Sequence, residues 1–293
     1  MGLSVFVNGQ YFERREDAVI SVFDHGFLYG DGVFEGIRGY GGKIFRLQQH
    51  LKRFYDSAKA VMLEVPYSLQ DLAEILLECC RRTGSKDLYI RLVISRGAGD
   101  LGIDPRKCKT PTVVVIADKI ALFPVELYES GIRMTIASVR RTAPDALNPQ
   151  VKSLNYLNPI LAKLEAIGGG FQEAVLLDRN GYVAEGCAEN IMLWDGATLK
   201  TPAVHHGILE GITRNAILEL ARDGGIPTSE CSLTSHDLFR AEEVFLTGTG
   251  CELMPVVEID GRTIGEGKPG DLLRDLRARF RELTKREGTP FRA

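Results

Sequence analysis

Apolar residues recur along the chain in two periods, and the changes of period mark its elements. Leu47, Leu51, Phe54, Ala58 and Val61 step by three or four, which predicts an amphipathic helix over about 46–62. Leu69, Leu72, Ile75, Leu76, Cys79 and Cys80 predict a second helix over about 69–82, stopped by Gly84. The period then falls to two. Leu88, Ile90, Leu92 and Ile94 share one strand face, while Tyr89, Arg91, Val93 and Ser95 share the other. Residues 112–117, Thr-Val-Val-Val-Ile-Ala, read as a buried strand.

Pattern fades between 119 and 130, around Pro124, and this stretch is expected to be a linker. It would separate a smaller N-terminal unit, 1–118, from a larger C-terminal unit, 131–293. A strand resumes at Ile132–Ser138. A helix is expected with Asn158 as N-cap and Pro159 at its first position. Its stripe is Ile160, Leu161, Leu164 and Ile167, and Gly168-Gly169-Gly170 stop it. Short strands follow at 174–177, 182–185 and 190–194, joined by turns at Asn180-Gly181 and Asp195-Gly196. A helical run over 215–222, a strand over 243–246 and a charged helix over 271–287 complete an α/β pattern.

Composition narrows the function classes. The 293 residues are 44% hydrophobic and 26% charged, an ordinary globular profile with room for two domains. A net charge of -3 gives no expectation of nucleic-acid or membrane binding. No apolar run approaches a transmembrane span, and no secretory leader pattern opens the chain. The cysteines form no Cys-x-x-Cys pair and no zinc pattern, so no metal and a reducing, cytoplasmic setting are expected.

The candidate chemistry starts at Lys152, in Val151-Lys152-Ser153-Leu154-Asn155-Tyr156. Downstream lie an acid at a strand end, Glu185, and two turns rich in glycine and threonine. Gly211-Ile212-Thr213 opens a helical run, and Thr247-Gly248-Thr249-Gly250 follows a strand. Both expose backbone N–H groups suited to an anion. A lysine amine, an acid and phosphate-binding turns are the parts a pyridoxal phosphate site requires. Arg53, beside the first helix stripe, could reach a phosphate. Tyr89 and Arg91, on one strand face, suit a carboxylate. Tyr29, Phe34 and Tyr40 lie in a stretch with five glycines between positions 26 and 39, a candidate pocket wall.

Seven segments then carry a resemblance. They are FDHGFLYGDGVFEGIRGY (23–40), HLKRFYDSAK (50–59), YIRLVISRGAGDLG (89–102), KSLNYLN (152–158), EGCAEN (185–190), GITRNAI (211–217) and FLTGTGCELMPV (245–256). In this order they resemble the branched-chain-amino-acid aminotransferases, in the fold type IV group of pyridoxal phosphate enzymes. The likeness covers about residues 3–285.

The resemblance implies a two-domain fold type IV aminotransferase-like architecture of the α/β (α+β) class, with the cofactor at the domain interface. It also implies a homodimer or dimer-based oligomer. Lys152 looks like the catalytic lysine that carries the cofactor, Glu185 like the acid on its pyridine nitrogen, and Tyr156 like the tyrosine near its 3-hydroxyl. Arg53, Ile212, Thr213 and Thr249 resemble phosphate binders. Tyr89 and Arg91 match a pair that handles substrate carboxylates, and Arg38 joins the substrate set. Tyr29 and Phe34 match the apolar pocket, Tyr29 serving the neighbouring subunit's site. Thr249 and Gly250 resemble the turn that touches the α-carboxylate. The implied reaction is ping-pong transfer from L-leucine, L-isoleucine or L-valine to 2-oxoglutarate, releasing branched 2-oxo acids. D-amino-acid transamination on the same scaffold is the nearest rival: the short spacing after Lys152 is shared with such relatives, whose motif usually lacks Tyr156. Tyr89-x-Arg91 and Glu35-Gly36-Ile37-Arg38 argue against it. An aminodeoxychorismate lyase-like activity is a weaker rival.

Overall fold

The computed structural model describes residues 2–119 and 123–292. Its chain divides into two compact units. One comprises Met1–Ile120, Val151–Asn155 and Thr284–Ala293; the other comprises Ala121–Gln150 and Tyr156–Leu283. The hydrophobic pattern predicts one linker over 119–130, of which 120–122 lie outside the described residues. The short segment 151–155 joins the first unit through backbone pairing, which leaves no trace in apolar periodicity.

Among the described residues, the first unit holds a seven-stranded antiparallel sheet. Its strands are β1 (Ser4–Val7), β2 (Gln10–Phe12), β3 (Gly32–Tyr40), β4 (Lys43–Ile44), β5 (Leu88–Ser95) and β6 (Thr112–Asp118), with a short C-terminal strand, Thr289–Pro290. Their order is C-terminal strand–β4–β3–β5–β6–β1–β2. A short helix, α1 (His25–Tyr29), precedes β3; α2 (Leu47–Ala60) and α3 (Leu69–Thr83) follow β4. Ser68 caps α3 by accepting from the Asp71 N–H, and Gly84 ends it in the left-handed region at φ 75°.

Most residues of the expected helix stripes are buried, with Leu69 and Ile75 of α3 and Val61, just past the end of α2, partly buried. Leu47, Leu51, Phe54 and Ala58 of α2 and Leu72, Leu76, Cys79 and Cys80 of α3 pack with Ile37, Ile90, Leu92, Val113 and Val115 of the sheet. The alternation in β5 holds as well: Leu88, Ile90, Leu92 and Ile94 are buried, while Tyr89 and Arg91 are half-buried on the other side.

The second unit is built on a nine-stranded mixed sheet, counted among the described residues. Its strands are β7 (Ile132–Ile136), β8 (Glu173–Leu177), β9 (Val183–Glu185), β10 (Asn190–Trp194), β11 (Leu199–Pro202), β12 (Thr228–Cys231), β13 (Glu243–Gly248), β14 (Glu252–Ile259) and β15 (Arg262–Thr263). The order is β12–β11–β10–β13–β14–β7–β8–β9, with β15 paired to β14. Pairs β11–β12, β14–β7 and β7–β8 are parallel. The helices are α4 (Leu127–Ser130), α5 (Leu157–Gly168), α6 (Ile212–Asp223), α7 (Ser235–Phe239) and α8 (Asp271–Arg286), the last ending in residues of the first unit.

Helix α5 departs from expectation twice. It starts at Leu157 with Tyr156 as N-cap, two residues before the expected cap, Asn158. The Asn158 amide is used elsewhere: it donates to the Arg140 C=O at 2.8 Å and accepts from the Thr142 N–H at 3.2 Å. The helix is also turned over. Pro159, Ala162 and Ala166 are its buried residues, and Leu157, Ile160, Leu161, Leu164 and Ile167 are exposed. Alanines permit close approach to Ala174 and Leu176 on β8, so the bulky stripe faces outward.

Truncating the buried face of α2 tests this packing. Leu51→Ala is expected to cost about 2–5 kcal/mol, read as a lower urea midpoint with an unchanged slope. A loss below about 1 kcal/mol would contradict a packed core at this position.

Candidate active site

The first unit brings five of the expected residues to one face. In the β3–β5 pairing, Gly36 lies opposite Arg91 and Arg38 opposite Tyr89, with Phe34 one step along. Arg91 Nη2 donates to Tyr89 Oη at 3.2 Å. The Arg91 guanidinium carbon lies 4.5 Å from the Phe34 ring centre, and Lys152 Nζ lies 4.7 Å from the same centre. Arg38 stacks over Tyr40 at 5.0 Å. Gly36 leaves room for the Tyr89 hydroxyl, which a Cβ there would displace.

Lys152 is held by its backbone. Its N–H donates to Ser57 Oγ on α2 at 3.1 Å, and its C=O accepts the Phe34 N–H at 2.9 Å. A bridge between Val33 and Ser153 continues this contact along the edge of β3.

Arg53 sits on the other side of the sheet. Its Nε donates to Glu35 Oε1 at 2.7 Å and its Nη2 to Glu35 Oε2 at 2.9 Å. His50 Nδ1 lies 2.7 Å from Glu35 Oε2. Burial alone would raise the Glu35 carboxyl. The Arg53 charge and the hydrogen bonds from His50 and Arg53 outweigh it and bring Glu35 down to about 2. Burial lowers His50 despite Glu35. Sequence reasoning used Glu35 only as part of the 35–38 motif, gave it no role in the site, and did not single out His50. The available signal was a carboxylate between Val33 and Ile37, on the apolar face of a strand.

Tyr29 is tied to a loop of its own unit. Its hydroxyl accepts the Gly102 N–H at 2.8 Å, and its ring meets His25 edge-on at 5.0 Å.

The second unit assembles the acid and the helix start. Glu185 is 6% exposed at the end of β9. Its Oε1 accepts from Arg141 Nε at 2.8 Å. Its Oε2 accepts the Leu209 N–H at 3.0 Å and the Asn190 amide at 3.3 Å. Asn190 Nδ2 also donates to the Leu209 C=O at 2.8 Å. A Cβ on Gly211 would collide with Asn190 Oδ1, so glycine lets the chain close on Asn190 just before α6. Asn190 thus links the acid to Leu209, three residues ahead of the helix. Arg141, Asn190 and Leu209 were not singled out by sequence reasoning, although Asn190 lies inside a matched segment.

The N-cap of α6 is Gly211, with no side-chain cap; Ile212 and Thr213, its first residues, are buried. Uncapped first-turn amides are anion donors. Thr249 and Gly250 are half-buried in the turn between β13 and β14. Tyr156 is half-buried at the N-cap of α5. A buried acid gripped by three donors and an uncapped helix start suit a cationic ring nitrogen and a phosphate respectively, so these residues fit the expected cofactor.

The turn after Glu185 buries a second acid. Glu189 takes the Ala188 N–H on Oε2 at 3.0 Å, and its C=O takes the Gly186 N–H at 2.7 Å. Burial, then the charge of Glu173, push its carboxyl up to about 7 against the Ala188 hydrogen bond and Lys163. Glu173 is held by Lys163 Nζ and the Ala174 N–H, each at 2.8 Å. Burial likewise raises the thiols of Cys187 and Cys251.

Known proteins resemble this chain over nearly its whole length. The profile of the family described as amino-transferase class IV matches residues 32–259. A provisionally named branched-chain-amino-acid aminotransferase of Methanocaldococcus jannaschii is 47% identical, over 98% of each chain. The branched-chain-amino-acid aminotransferase of Escherichia coli K12 is 36% identical, over 94% of this chain and 91% of its own. A crystal structure of the T.th. enzyme of that name, complexed with N-(5'-phosphopyridoxyl)-L-glutamate, superposes with a TM-score of 0.91. That match is at 37% identity and covers 98% of this chain and 96% of that one.

The raised Glu189 carboxyl has a consequence for stability. An acid whose pKa is higher folded than unfolded contributes fully only below the unfolded value, and the contribution is lost as pH rises through the folded one. The protein is expected to lose stability between about pH 4.5 and about pH 7, and Glu189→Gln to remove that part of the slope. An identical dependence of unfolding free energy on pH in the two proteins, from denaturant titrations at several pH values, would contradict a buried, proton-holding Glu189.

Proposed function

The chain belongs to the class IV aminotransferase family, and from that premise we propose that it moves the amino group of L-leucine, L-isoleucine or L-valine to 2-oxoglutarate. The products are a branched 2-oxo acid and L-glutamate. The observation that carries the substrate reading is the face shared by Phe34, Tyr89 and Arg91 beside Lys152. It offers an apolar ring for a branched side chain and a guanidinium with a phenol for a second carboxylate. A relative crystallised with a phosphopyridoxyl-glutamate adduct supports the glutamate side of the exchange.

Pyridoxal phosphate is the cofactor, and when bound it supplies an electron-accepting ring that lets the substrate Cα–H proton leave. We assign Lys152 to hold it and then to take and return that proton through Nζ. Glu185, fixed by Arg141, Leu209 and Asn190, pairs with the pyridine nitrogen and keeps it protonated. Tyr156 serves the 3-hydroxyl. Arg53 with Ile212, Thr213 and Thr249 receives the phosphate. Arg91, Tyr89 and Arg38 orient substrate carboxylates, Thr249 and Gly250 serve the α-carboxylate, and Phe34 with Tyr29 walls the apolar side chain.

We also assign a second copy of the chain to the exposed face of α5. Leu157, Ile160, Leu164 and Ile167, spaced by three, four and three, form a heptad seam. A self-complementary seam closes in a two-fold pair, where Tyr29 would serve the neighbouring site. Six free thiols, half of them buried, suit the cytoplasm.

Glutamate formation from 2-oxoglutarate, measured with single amino donors, tests the reaction. The three branched L-amino acids are expected to react and D-alanine to be poor; turnover of D-alanine with none of L-leucine would overturn the reading. Arg91→Ala is expected to lower kcat/KM for 2-oxoglutarate roughly 10- to 100-fold, the loss of one charge-assisted contact, with a smaller effect on L-leucine. Equal losses for both would remove Arg91 from the carboxylate role. Leu164→Glu is expected to reduce the light-scattering mass to that of one chain. An unchanged mass would exclude α5 as the contact.

A further inference from the structure

Glu35 lies on the side of β3 where a charge is least expected. Alternation sends Val33, Glu35 and Ile37 beneath the sheet, and all three are fully buried. There Glu35 grips Arg53 through two hydrogen bonds, Nε to Oε1 at 2.7 Å and Nη2 to Oε2 at 2.9 Å, with His50 behind it at 2.7 Å. One helical turn after Arg53, Ser57 accepts the Lys152 N–H at 3.1 Å. One residue before Glu35, the Phe34 N–H donates to the Lys152 C=O at 2.9 Å. Neighbouring residues of one strand and one turn of one helix therefore hold both the Lys152 backbone and the Arg53 guanidinium.

We propose that Glu35, backed by His50, is a positioning residue that fixes Arg53 at a set spacing from Lys152, so that the protein selects a cofactor bearing a phosphate ester over its unphosphorylated counterpart. The inference rests on the reading of Arg53 as a phosphate contact. A free arginine side chain samples many rotamers, and ordering it on binding costs conformational entropy. A two-point grip by a buried carboxylate removes that freedom beforehand and fixes the direction in which Nη1 points. The same carboxylate opposes Arg53's charge. If charge alone governed phosphate capture, removing the Glu35 charge would tighten binding. If position governs it, the same change weakens binding. The two accounts differ in sign.

The experiment titrates the full-length protein with pyridoxal phosphate and, separately, with pyridoxal, following the absorbance of the species attached to Lys152. The readout is the ratio of the two dissociation constants in wild type, Glu35→Gln, Arg53→Ala and the double variant. Glu35→Gln is expected to weaken pyridoxal phosphate about tenfold or more while pyridoxal changes less than about twofold. Adding Glu35→Gln to Arg53→Ala is expected to do nothing further, because the carboxylate acts through the arginine. An unchanged ratio in Arg53→Ala would overturn the phosphate role of Arg53 itself. A collapsed ratio in Arg53→Ala with an unchanged or improved ratio in Glu35→Gln would overturn the present proposal alone. Glu35→Asp keeps the charge but withdraws the carboxylate by one methylene; it reads the same ratio should the glutamine variant not fold, and wild-type selectivity in it would count against positioning.

Discussion

A carboxylate buried completely beneath a sheet survives only where its charge is met, and Glu35 is met by Arg53 and His50. Desolvating an ion carries a penalty of several kcal/mol, so such a pair adds little net stability, while breaking it costs about 3–5 kcal/mol. Its contribution is geometric. It locks α2 against β3, and the same strand and helix hold the backbone of Lys152 through Phe34 and Ser57. The opposite face of β3 carries Phe34, with Lys152 Nζ and Arg91 both against its ring. One strand thus separates two chemistries by alternation alone: an ionic clamp below, an aromatic and cationic surface above.

The second unit reaches rigidity differently. Glu185 is held by a guanidinium, a backbone amide and a side-chain amide, and Asn190 shares its donor with Leu209. The acid and Leu209, three residues ahead of α6, are consequently parts of one hydrogen-bonded object. Gly211 permits this by leaving room for Asn190. Glu189, closing the turn after Glu185, is pushed up to about 7 by burial and by Glu173, so the turn's second acid holds its proton well above the usual carboxylate range.

Helix α5 shows how a correct periodicity can point the wrong way. The stripe Ile160, Leu161, Leu164 and Ile167 is present at helical spacing, yet those residues are exposed and the alanines are buried. Hydrophobic periodicity reports that a face is apolar and cannot say what covers it. Where Ala162 and Ala166 let the helix approach β8 closely, the bulky face is left exposed.

What the chain by itself determined was local or pairwise: helix stripes on α2 and α3, the same-face placement of Tyr89 and Arg91, turn glycines, and seven ordered segments that carry the family. These follow from backbone periods and residue chemistry, which a linear reading contains. The tertiary structure decided which charges meet. Glu35 and Arg53 are 18 residues apart, Arg141 and Glu185 are 44 apart, and Ser57 and Lys152 are 95 apart. No period links such positions; only the packing of a helix on a strand, or of a loop on a strand end, brings them together. The assignment of 151–155 to the first unit has the same origin, since it rests on backbone bonds to Gly32 and Phe34 and on a distant Ser57 hydroxyl.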